Sequence, residues 1–109
     1  MKKIDAISAL GALAHDSRLD IFRLLVSWEA DDPSKAGLAA GAIADELSLP
    51  APTASFHLKE LSRAGLVAGT RRGRSIIYRA QLDTLRSVAD FLLHDCCSAS
   101  SPRIRSITP

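Results

Sequence analysis

The sequence predicts a mainly α-helical domain with one small β-hairpin, arranged as a winged helix-turn-helix (α-α-α-α-β-β-α). Apolar residues recur at helical spacing in five stretches. Two of these are joined by the tight turn Ser48-Leu49-Pro50, and two β-rich runs flank a glycine at Gly73. At 109 residues, 47% hydrophobic and 24% charged, the chain is one domain by length with the composition of a packed protein.

Ile4, Ile7, Leu10, Leu13 and Ala14 form the stripe of a first amphipathic helix. Ser17 is the expected N-cap of a second, which carries Leu19, Phe22, Leu24, Leu25 and Trp28. The breakers in residues 29–37 mark a polar loop. A short helix over 40–47 places Ile43 and Leu47 on one face. Pro50 and Pro52 cannot lie mid-helix but suit a first turn, so a new helix starts near Ala51, runs to Arg63 and stops at Gly65. Residues 66–70 and 75–79 read as strands around a basic tip, Arg71-Arg72-Gly73-Arg74. The last helix, 82–94, carries Leu85, Val88, Ala89, Leu92 and Leu93. Domain and dimerisation elements are assigned to 1–97, and the Ser-, Arg- and Pro-containing tail, 98–109, is expected to be disordered. The small central unit leaves the apolar faces of the two outer helices uncovered, and pairing of two copies covers them.

The net charge of +2 permits a nucleic-acid partner without requiring one. Two adjacent cysteines do not make an extracellular disulfide scaffold, so a reducing cytosol is the expected compartment. Asp5 interrupts the only N-terminal run that resembles a secretion signal, and no apolar run approaches a bilayer-spanning length. No membrane association is expected.

On a wheel of the 51–63 helix, Ala54, Leu58 and Leu61 share a core face. Phe56, Lys59 and Arg63 face away from it, flanked at the N-terminal turn by Thr53 and Ser55. Hydroxyls and cations reach phosphates and base edges, and a phenyl ring can meet a thymine methyl, so this face suits a major groove. His57, at the edge of the core face, is counted with this surface and is expected to orient a neighbour rather than hold a metal. Arg71, Arg72 and Arg74 form a second basic cluster, placed to follow a DNA backbone or minor groove. A two-fold dimer presenting both reading helices matches a palindromic duplex site.

The run 13–25, the segment Ala44-Asp45-Glu46-Leu47 with 52–67, and the wing residues 72–78 resemble the ArsR/SmtB family of metal-sensing repressors. The order, the spacing and the core Ser55-Phe56-His57-Leu58-Lys59 make the resemblance specific over roughly residues 8–97. It implies a homodimer held by its first and last helices, which releases a detoxification operator when an inducer binds. Members of the family place their inducer sites at different points on the same scaffold. The arsenic site ahead of the reading helix is absent, because residues 38–43 contain no cysteine. Asp83, Asp90, His94 and Asp95 do not reproduce the zinc spacing of the last helix. Cys96-Cys97 is similar to an arsenite-responsive subgroup with adjacent cysteines there, although the third cysteine frequent in that subgroup is missing and serines occupy the tail.

Trivalent arsenic and antimony favour thiolates. Two thiolates satisfy methylarsenite, whereas arsenite takes a third ligand from elsewhere. Thiol oxidation or persulfide formation is the rival chemistry. Nothing points to an enzyme: His15, His57 and His94 lie on separate helices, and no Cys-x-x-Cys or glycine-rich phosphate loop occurs. A DNA-binding architectural protein without an inducer is the remaining class, and no cofactor is required for folding.

Overall fold

The computed structural model describes residues 1–94; Cys96, Cys97 and the 98–109 tail lie outside the described residues. The elements are α1 Lys3–Leu13, α2 Asp16–Ser27, β1 Leu38–Ala39, α3 Ala40–Leu47, α4 Ala51–Arg63, β2 Val67–Arg72, β3 Ser75–Ala80 and α5 Leu82–His94. A 3-10 turn at Pro33–Lys35 interrupts the long loop.

The centre is built from large aliphatic side chains of the inner helices and the base of the hairpin. Ile21, Leu25, Ile43, Leu58, Leu61 and Leu66 are fully buried, with Phe22 and Val67 beside them. Ala54, Leu58 and Leu61 form the inward face of α4 that their spacing predicts. In α2 the core takes Ile21, Phe22 and Leu25, while Leu19 and Trp28 are exposed. Ser17 does not cap α2: the helix begins at Asp16, behind an extended His15 at φ −150, and no side chain caps it. The Asp16 carboxylate in the first turn complements the positive end of the helix instead.

The turn between α3 and α4 is fixed by backbone bonds. Ser48 sits in the left-handed region at φ 55, and Leu49 N–H donates to Ala44 O at 2.9 Å. Helix α4 ends in the paired bonds of a Schellman motif: Gly65 N–H donates to Ser62 O and Leu66 N–H to Leu61 O, both at 3.0 Å. Gly65 takes the left-handed position at φ 78. The chain leaves α4 directly into β2, with Leu66 and Val67 buried as the anchor of the wing.

The hairpin carries a third strand. β1 pairs antiparallel with β3, Leu38 opposite Tyr78 and Ala39 opposite Ile77, giving the order β1-β3-β2. Arg71 and Arg72 belong to β2 rather than to the tip: Arg72 pairs with Ser75, leaving only Gly73 and Arg74 in the turn. A positive φ at Gly73 alone is the sign pattern of a type II′ turn, which matches strand twist.

The outer helices are packed differently. Helix α1 turns Ala6, Ala9 and Ala12 inward and leaves Ile4 71% and Ile7 59% exposed, with Leu10 exposed beside them. Helix α5 packs against α1. It buries only Val88 and exposes Leu85, Leu92 and Leu93.

Candidate nucleic-acid interface

The outward face of α4 is set by its inward face. With Ala54, Leu58 and Leu61 sealed in the core, the 3.6-residue period turns Ser55, Phe56, Lys59 and Arg63 into solvent. Phe56 is 54% exposed, and Thr53 is half-buried at the first turn. Arg63 is held toward Glu60 at 3.3 Å, a surface pair too exposed to restrain it strongly. Pro52 offers no N–H in the first turn of α4 and no side chain caps it, so the backbone N–H groups of Ala51 and Thr53 are left without a helical acceptor, where an anion is favoured.

His57 is placed apart from this face. It is buried and its Nδ1 accepts a hydrogen bond from Arg18 Nε at 3.2 Å. The His15 ring lies 4.7 Å from it, centroid to centroid, and the Phe56 ring 5.7 Å. Burial pushes the His57 imidazole below its ordinary pKa, and the nearby His15 and Arg18 push it the same way. A neutral ring is what an Nδ1 acceptor requires. His57 therefore orients neighbours, as its position at the edge of the core face implies. Arg18 escapes sequence reading, because its partner lies 39 residues away.

The wing arginines divide in two. Arg71 and Arg74 are exposed, with no bonded partner among the described residues. Arg72 donates to Ser34 O at 2.9 Å and to Pro33 O, so its guanidinium ties the wing to the long loop. A second tie lies lower: Arg79 meets Glu29 through Nε at 3.2 Å and Nη2 at 2.8 Å, and that carboxylate holds Arg79 above its usual pKa. Asp32 accepts from Ser34 N–H and Oγ, which keeps its carboxyl below the usual range and shapes the turn that receives Arg72. Between wing and reading helix lies an open cleft of about 380 Å³, lined by Ser55, Arg74, Ser75, Tyr78 and the start of α3.

Among the described residues no cluster of three His, Cys, Asp or Glu side chains is close enough to hold a metal ion. Asp90 and His94 approach to 3.6 Å on the exposed side of α5. No helix among the described residues is long and apolar enough to cross a membrane.

Known proteins share this arrangement. The helix-turn-helix domain family matches residues 13–70. The chain is 31% identical over 96 residues to the uncharacterised HTH-type transcriptional regulator YbzH of Bacillus subtilis, covering 82% of this chain and 96% of that one. An ArsR-like transcriptional regulator from Rhodococcus sp. RHA1 superposes with a TM-score of 0.75 at 26% identity, over 95% of this chain and 90% of that chain. The homodimeric winged helix-turn-helix DNA-binding domain of Mb0332 from Mycobacterium bovis superposes at 0.65 and 31% identity, over 79% and 73%. The matched helix-turn-helix span, the shared wing and these relatives together place the chain in the ArsR/SmtB family of winged helix-turn-helix transcriptional regulators.

Proposed function

We propose that the chain is a cytoplasmic homodimeric repressor that holds a palindromic operator and releases it when a thiophilic inducer binds Cys96 and Cys97. The observation that carries the DNA half of this reading is the exposed Ser55, Phe56, Lys59 and Arg63 face on a helix whose opposite side is locked in the core. The two free wing arginines, Arg71 and Arg74, continue the same basic surface. The uncovered faces of α1 and α5 support dimerisation through those helices, and the homodimeric Mb0332 domain has the same fold.

The inducer half rests on the vicinal cysteines just beyond α5. Trivalent arsenic or antimony, or methylarsenite, is the class of ligand two soft thiolates select. Closure of both thiolates on one ion reorders the end of α5, and α5 packs on α1. A change there alters the spacing of the two reading helices. Coupling of about 1–3 kcal/mol is enough for such release. The presence of two cysteines rather than three keeps a second reading in play, in which oxidation or persulfide formation on the same pair is the signal.

Fluorescence anisotropy of a labelled duplex from upstream of the gene tests both halves. The reduced protein binds, and arsenite, methylarsenite or antimonite releases it. Release by a persulfide donor alone selects the second reading. The Cys96→Ser/Cys97→Ser protein binds equally well and is not released; release from that variant rules the thiol site out.

A further inference from the structure

We propose that Arg18, on α2 ahead of the α3–α4 pair, is a DNA-phosphate contact that each protomer adds to the interface. The inference rests on the operator-binding reading above. Arg18 is the third residue of α2, yet it meets α4 at the edge of the reading face. Its Nε–H donates to the buried His57 Nδ1 at 3.2 Å, and its guanidinium carbon stands 5.8 Å from the centroid of the exposed Phe56 ring. These two contacts fix the plane of the guanidinium. Its terminal amino groups have no partner among the described residues.

Among the described residues no carboxylate forms an ion pair with Arg18. Glu60 lines the same small cleft, but it is engaged by Arg63 at 3.3 Å. The group that orients Arg18 is a neutral imidazole, not a carboxylate, so the positive charge is positioned without being neutralised. A half-buried cation with an unfilled donor fork, held beside an outward phenyl ring, is arranged to receive an anion from outside. On the face that meets DNA, that anion is a backbone phosphate. His57 is then a positioning residue: it aims Arg18 and makes no contact with DNA itself.

The test is the salt dependence of binding, which counts phosphate contacts and is blind to mere loss of shape. Wild type, Arg18→Gln and Arg18→Lys are titrated onto the labelled upstream duplex between about 50 and 200 mM salt. With one contact per protomer, Arg18→Gln makes the slope of log affinity against log salt shallower by about two in the dimer. Weaker binding at unchanged slope overturns the contact and leaves Arg18 a structural residue. Arg18→Lys keeps the cation and loses the oriented Nε donor. It retains the wild-type slope but binds more weakly, since a lysine neither stacks on Phe56 nor offers the planar fork; wild-type affinity in this variant overturns the oriented contact even if Arg18→Gln fails to fold. Absence of wild-type binding overturns the operator reading itself, a result distinct from either.

Discussion

The inner helices and the outer helices draw on the same aliphatic residues and use them in opposite directions. In α2, α3 and α4 the large side chains Ile21, Leu25, Ile43, Leu58 and Leu61 point inward and seal the core. In α1 the inward positions belong to Ala6, Ala9 and Ala12, and the isoleucines point out. Small inward residues let α1 lie close against the rest of the protomer. The large outward ones then have no cover within it, and a helix with its larger apolar side exposed is built to be completed by a partner. The inner unit holds the fold of the chain, and in the function proposed above the outer pair carries its assembly.

Charge on the outer face should produce the largest separation between the two regions. Ile7→Glu is expected to weaken dimerisation by about 3–6 kcal/mol, since burial of the side chain is lost once in each protomer. The monomer should keep its helical circular dichroism. Sedimentation equilibrium checks the first outcome and far-ultraviolet spectra the second; an unchanged dimer would remove α1 from the interface. Next comes Leu58→Ala in the inner unit, expected to cost about 2–5 kcal/mol of folding stability through the lost contacts and the cavity. Urea unfolding at a protein concentration that keeps the dimer population fixed measures it.

A smaller change of opposite sign is expected at Ser48, which alone among the described non-glycine residues has a positive φ. Ser48→Gly should stabilise the helix-turn-helix by about 1 kcal/mol, seen as a higher urea midpoint with an unaltered slope. The smallest effect is in pH. The folded protein holds His57 below its ordinary pKa of 6.5, so the unfolded chain takes up the proton first as pH falls. Stability contributed by the neutral ring is therefore complete above that value, declines as pH drops below it and levels off once the folded protein is protonated. Melting temperature should fall more for wild type than for His57→Gln between pH 7.5 and pH 5.5, a window of about one unit either side of an ordinary imidazole. Parallel profiles would mean the buried ring is not the titrating group.

The sequence pattern made α3, α4 and α5 legible to their ends, because apolar period, proline and glycine agree there. Strand β1 was not legible: two residues contribute no alternation, and Leu38 and Ala39 become a strand only because β3 passes beside them. The stripe of α1 was visible, but which side faces inward depends on alanines that carry little hydrophobic signal. In the interface, the exposure of Phe56 and Lys59 follows from the helical wheel. The placement of Arg72 and Arg18 does not. Arg72 bonds across 38 and 39 residues and Arg18 across 39, distances at which local pattern carries no information.

The two-residue tip of the hairpin governs how this wing can change length. Arg72 faces Ser75 with nothing to spare, and strand side chains alternate in direction. One inserted residue in either strand would turn every side chain beyond it to the other side, carrying Arg71 and Ile76 with it. Lengthening that preserves the faces must add two residues to each strand, moving the tip outward by about 6.7 Å at a time. In the operator-binding function proposed above, the wing's reach along a duplex is thus available to this scaffold only in discrete steps.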